Sequence, residues 1–234
     1  MDKPYVILDL ETELQDGPLN LDRRVPRITV AATLSSDGDL RLWYERDAAG
    51  QASGMLMTAS TAQLLVAWLR QMADAGYIIV TWNGSGFDFR VLARASGMKE
   101  ECIALAWDHI DMMFWFHCLR GFSIGLDKAA EAIGSGKTAG LSGADAPKLW
   151  AAGQYDQVLR YVAQDVRATE AVYLAALRNN GIQWQTTNGR MSKAEGTPLT
   201  VREAFKLPKP DTSWMKQKPW PRTHFIGWMQ PSLI

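Results

Sequence analysis

The sequence is poor in thiols and imidazoles. It holds two cysteines, Cys102 and Cys118, and three histidines, His109, His117 and His224. The cysteines form no C-x-x-C pair, so no Cys/His zinc site is expected. Two cysteines make no disulfide framework either, which points to reduced thiols and a cytoplasmic protein. Net charge is also lacking: 25 Lys+Arg stand against 25 Asp+Glu. A binder that works by bulk positive charge is thereby excluded, and any nucleic-acid contact must come from a local patch. No apolar run approaches the roughly 18 residues of a membrane helix, so no membrane association is expected. The first apolar run, Tyr5 to Leu10, is short and ends in acids, unlike a signal peptide.

What is present is ordinary globular composition, 47% hydrophobic and 21% charged over 234 residues. That length suits one large domain or one domain with an appendage. Tyr5 to Leu10, YVILDL, reads as a buried strand delivering Asp9 and Glu11 at its C-terminal end. Ile28 to Leu34 and Leu40 to Tyr44 read as two more strands, with a hairpin signal at Asp37-Gly38 between them. Thr61 to Ala75 has helical spacing and stops at Gly76. Tyr77 to Trp82 is a β-branched strand, the turn Asn83-Gly84-Ser85-Gly86 follows, and Phe87 to Ser96 reads as a helix. His109 to Met113 reads as a further strand, Leu126 to Ile133 and Ala144 to Ala152 as short helices, and Gln154 to Asn179 as a long amphipathic one. Strands alternating with helices after an antiparallel hairpin predict an α/β protein, a mixed sheet covered by helices. We place one domain at 1–196 and a C-terminal extension at 197–234. The extension holds six of the ten prolines, three tryptophans (Trp214, Trp220, Trp228) and six basic residues against two acidic ones, leaving four net positive charges. Its rings could stack unpaired bases or fold back onto the core; the segment PLPKPDTSWM favours folding back.

Three acidic groupings carry the chemistry. In Asp9-x-Glu11 the two carboxylates alternate along a strand and point to one side. A hard cation such as Mg²⁺ or Mn²⁺ would offset their repulsion, and a solvated strand end or helix cap fits this pair equally well. Asp88 follows the glycine turn, where an Asp by itself would serve as a helix cap. Tyr161 and Asp165 are four apart and share a helix face beside the apolar stripe. A lone buried carboxylate is costly, and one that binds a metal is not.

Taken together, Asp9-x-Glu11, Asn83-x-x-x-Phe87-Asp88 and Tyr161-x-x-x-Asp165 appear in the order of the three exonuclease motifs. The sequence resembles the DEDD superfamily of 3′→5′ exonucleases, in its tyrosine branch (DEDDy), over roughly residues 3–180. "WNGSGFDF" looks most like the exonuclease domain of family B DNA polymerases and the stand-alone bacterial and phage exonucleases related to it. The resemblance implies a ribonuclease H-like fold and two ions of Mg²⁺ or Mn²⁺. It implies that Asp9 bridges the metals, Glu11 and Asp165 complete one site, and Asp88 holds the other. Tyr161 with Glu11 would orient the attacking water, and Thr12, Asn83 and Phe87 would hold the terminal nucleotide. Phe87 reads equally as plain core.

Other signals are weaker. Gly134-Ser135-Gly136-Lys137-Thr138 imitates a P-loop, but position 131, where a Walker A needs glycine, is Glu131, and a helix rather than a strand precedes it. Lys137 remains a candidate phosphate contact or a solvated loop lysine. Asp111 could assist a metal, with a supporting or capping role favoured, and His109 and His117 read as packed or surface histidines. The expected activity is metal-dependent 3′→5′ hydrolysis of single-stranded DNA ends to nucleoside monophosphates, in proofreading or repair, with a DNA polymerase or replication protein as a partner in trans. The alternatives are an exoribonuclease and a non-catalytic nucleic-acid-binding module.

Overall fold

The computed structural model describes residues 3–17, 20–135, 143–186 and 188–229. The element order is β1 (Tyr5–Thr12), β2 (Ile28–Ser35), β3 (Leu40–Trp43), α1 (Ala59–Asp74), β4 (Ile78–Thr81), α2 (Asp88–Ser96), α3 (Lys99–Asp108), β5 (Ile110–Asp111), α4 (Met112–Arg120), α5 (Leu126–Ala132), α6 (Ala146–Ala151), α7 (Tyr155–Asn179), β6 (Gly181–Gln185), β7 (Met191–Glu195), α8 (Val201–Ala204) and α9 (Thr223–Ile226). Five strands form one sheet in the order β3-β2-β1-β4-β5. The β1–β2–β3 meander is antiparallel, while β4 runs parallel to β1 and β5 parallel to β4. The sheet is therefore mixed, and β1 is its central strand.

A central strand must be covered on both faces, and the residues of β1 are chosen for that: Val6, Ile7 and Leu8 are fully buried. Helix α7 lies across β1, β2 and β4. Val158, Val162, Val166 and Val172 recur at helical spacing and give it a buried stripe. Helices α1, α2 and α3 pack on one another, with α1 and α3 against β4 and α2 against β2, forming a second helical layer. Thr58 starts α1 by accepting a hydrogen bond from the Thr61 amide. Both cysteines are buried free thiols, each pushed up to about 12 by burial. Among the described residues no helix is long and apolar enough to cross a membrane.

The reading of His109 to Met113 as a strand needs correction: only Ile110 and Asp111 pair in the sheet, and Met112 already begins α4. Asp111 causes the change, because its carboxylate accepts from the Phe114 amide at 3.0 Å and caps that helix. The C-terminal segment folds back on the core. Val201 donates its amide to the His109 carbonyl at 2.9 Å. The Arg222 guanidinium gathers the carbonyls of Phe205, Leu207, Pro208 and Cys118 at 2.6–3.0 Å. Phe225, Ile226 and Met229 are buried, whereas Trp214 and Trp220 stay exposed at 62% and 66%.

Candidate active site

The site is built where β1 meets α7. Side chains alternate along a strand, so Tyr5, Ile7, Asp9 and Glu11 share one face. Tyr5 sets how that face meets α7: its hydroxyl donates to Glu170 Oε1 at 2.9 Å, and its ring meets Tyr173 edge-on at 5.4 Å. From Tyr5 to Asp9 the strand advances about 13 Å, and from Tyr173 back to Asp165 the helix retreats about 12 Å. The packing that seats Tyr5 on Tyr173 thus carries Asp165 to Asp9 and Glu11. Carboxylate oxygens of these three residues lie within 4.8 Å of one another. Glu11 and Asp165 are buried and Asp9 is half-buried. Three converging carboxylates repel unless a cation sits among them, and an all-oxygen donor set suits Mg²⁺ or Mn²⁺.

Asp88 opens α2 immediately after the 83–86 turn. It is 2% exposed, and its Oδ1 is buried with no hydrogen-bond partner. Burial first, and then the charge of Asp111, push its carboxyl up to about 8 against weaker pulls from the amides of Asp88 itself and Leu10. Leu10 lies between Asp9 and Glu11, so Asp88 stands beside the end of β1, outside the converging three. An orphaned buried carboxylate oxygen at this place fits a cation ligand.

The turn that presents Asp88 is held from below. Asn83 is in the left-handed region at φ 73°. The Asp111 carboxylate accepts from the Asn83 amide (2.9 Å), the Ser85 amide (2.9 Å) and the Ser85 hydroxyl (2.6 Å). Asp111 is thus a supporting and capping residue. The Thr81 hydroxyl accepts from the Gly84 amide at 3.0 Å and lies 3.0 Å from His109 Nε2. His109 Nδ1 donates to the Ala106 carbonyl at 2.8 Å, so Nε2 is the acceptor for Thr81. His109 is therefore a packed, satisfied histidine. A Cβ at Gly84 would collide with Thr81, which makes glycine necessary there.

Of the other candidates, Tyr161 is buried one helical turn before Asp165, with its hydroxyl 3.7 Å from where a Cβ on Gly143 would stand. Thr12 is buried at the end of β1, just past a register shift between Glu11 and Thr12. Phe87 packs against the core. It also lines, with Asn83, Gly86, Arg90, Trp220 and His224, a cleft of about 630 Å³. Lys137 lies outside the described residues. Sequence reasoning missed Arg90 and His224, and it missed the bond from Trp228 Nε1 to the Ser85 carbonyl at 2.7 Å. No local pattern marked the Trp220–His224 pair, because Trp220 precedes α9 and the two rings do not share a helix face.

Comparison with known proteins agrees with this architecture. The family model described as the RNase H superfamily matches residues 42–177, a span that includes Asn83, Asp88, Tyr161 and Asp165 and begins after Asp9 and Glu11. Among solved structures, the family B DNA polymerase from the hyperthermophilic archaeon Pyrobaculum calidifontis superposes with a TM-score of 0.54 at 17% identity. The match covers 76% of this chain and 25% of the polymerase, and at that identity it is a likeness of fold. No curated protein matches the chain. The mixed sheet flanked by helices and a family match over more than half of its length together make the chain a member of the RNase H superfamily.

Proposed function

We propose that the chain is a metal-dependent 3′→5′ exonuclease of the tyrosine DEDD type, acting on single-stranded DNA ends. The observation that carries this reading is the convergence of Asp9 and Glu11 from β1 with Asp165 from α7, with buried Asp88 alongside. The motif order and the likeness of fold to a family B polymerase support it. Two divalent ions held by these carboxylates would lower the pKa of a bound water and stabilise the attacking and leaving oxygens of an in-line displacement.

The chain's own residues do the rest. Asp9, Glu11 and Asp165 supply negative charge on one side of the scissile phosphate, and Asp88 supplies it on the other. The Tyr161 hydroxyl, with Glu11, orients the water. Asn83, Thr12 and Phe87 seat the terminal nucleotide. The water oxygen bonds to phosphorus, the bond from phosphorus to the 3′ oxygen breaks, and that oxygen takes a proton. The products are a nucleoside 5′-monophosphate and a strand shortened by one.

The test uses a 5′-labelled unpaired oligonucleotide, made as DNA and as RNA, with Mg²⁺ or Mn²⁺. A descending ladder that EDTA abolishes is expected, stronger on DNA, and Asp9→Ala should remove nearly all of it while the fold survives. Unchanged turnover in Asp9→Ala, or first release of a mononucleotide from a 5′ label, overturns the reading. A ladder confined to RNA reassigns the substrate.

A further inference from the structure

On the segment that flanks Asp88, a cleft of about 630 Å³ joins residues 83–90 to the C-terminal segment. Its volume falls in the range of about 300–1,000 Å³ typical of ligand sites. Trp220 is 66% exposed on its wall, although the backbone at that point is fixed: the Trp220 carbonyl accepts from His117 Nε2 at 2.9 Å. The His224 ring backs one side of the indole at 4.3 Å and 27°, and His224 in turn packs edge-on against buried Phe225. An exposed indole on a fixed backbone, with an aromatic ring behind it, loses little freedom when something stacks on it. Arg90, its side chain 19% exposed, stands in the same cleft with Nη2 bound at 2.6 Å to Asp22, which also lines it. That bond engages one of the five guanidinium donors, so the fork has others for an anion. Asn83 and Phe87 line the cleft as well, so it is continuous with the proposed seat of the terminal nucleotide.

We infer that this cleft is a subsite for the unpaired strand upstream of the scissile nucleotide, with the Trp220–His224 pair stacking a nucleobase and Arg90 meeting a backbone phosphate. The inference rests on the nuclease reading and extends it to residues outside the acid motifs. Trp214 provides an internal control. It is as exposed as Trp220, but its ring packs against Phe122 at 6.0 Å and does not line the cleft.

The test is steady-state and single-turnover degradation of a 12-nucleotide unpaired DNA by the wild type, Trp220→Ala, Trp220→Phe and Trp214→Ala. A series of the same DNA is added, carrying one abasic residue at each of the four positions preceding the 3′ nucleotide. A base–aromatic stack corresponds to roughly 5–150-fold in affinity. Trp220→Ala should raise the half-saturating concentration by a factor in that range and leave the saturated single-turnover rate within about twofold. Trp220→Phe should recover most of the loss, and Trp214→Ala should match the wild type. One abasic position should weaken binding by the wild type, and that penalty should vanish in Trp220→Ala. If the wild type degrades the DNA while Trp220→Ala behaves like it, or Trp214→Ala loses as much, or no abasic position is masked, the subsite is overturned and the nuclease reading stands. If the wild type neither binds nor degrades the DNA, both fall.

Discussion

Tyr161 and Asp165 lie one helical turn apart on the same buried face of α7, yet their proposed tasks differ. Asp165 contributes charge to a cluster whose oxygens lie within 4.8 Å. Replacing it with alanine removes charge that a cation needs, so the rate should fall by several orders of magnitude, with partial recovery at high Mn²⁺. On the proposed reading the Tyr161 hydroxyl orients the attacking water, and positioned groups of this kind are worth about 10²–10⁴ in rate. Tyr161→Phe keeps the ring in the core and should slow single-turnover cleavage by up to that factor, leaving the metal requirement unchanged. A metal titration of both variants separates the roles. If Tyr161→Phe needed as much extra metal as Asp165→Ala, or cleaved at the wild-type rate, the assignment would fail.

Helix α4 shows how one element ties the sheet to the C-terminal segment. Its start is capped by Asp111, and its His117 accepts from Ser123 and donates to the Trp220 carbonyl. Burial holds His117 below its ordinary value; the hydrogen bond to Trp220 opposes that, and the charges of Arg222 and His224 reinforce it. A histidine with a lowered folded-state pKa adds stability above its unfolded value of about 6.5, and that stability is lost as pH falls through the window beneath it. The melting-temperature margin of the wild type over His117→Gln should therefore narrow between pH 8 and pH 5. A margin independent of pH would contradict the neutral, paired state. Legibility also divides by element. The strands from Tyr5, Ile28 and Tyr77 and the long helix from Gln154 were readable because apolar runs and 3.6-residue spacing dominate there. Helix α3 and the β6–β7 hairpin were not read. In α3 the buried Cys102, Leu105, Ala106 and Trp107 are interleaved with half-buried apolar Ile103 and Ala104, so little polar contrast marks a face, and the hairpin buries Trp184 against Phe116 and Phe122, partners far away in sequence. The acids were legible as motifs. The tail tryptophans were legible as candidate stacking rings, but which of them faces the cleft was not, because only the fold brings Trp220 to Asn83 and Arg90.

At the scale of the molecule, the chain closes on itself twice: β1 meets α7, and the last described residues return to the 83–86 turn. Phe225, Ile226 and Met229 are buried, and each such side chain is worth about 1.5–3 kcal/mol. Deleting residues 209–234 should thus lower the melting temperature by about 10 °C or more, given about 2–4 °C per kcal/mol at this size. An unchanged calorimetric transition would show that the return contributes nothing. The same closure imposes a timetable during synthesis. Asp9 and Glu11 leave the ribosome before their partner: Asp165 follows 154 residues after Glu11, and the Trp228 side chain that steadies Ser85 comes later still. At about 5–20 residues per second, the acids are apart for many seconds. On the proposed reading, a nascent chain therefore holds only two of the three converging acids for that time, and the centre is complete only once α7 has emerged.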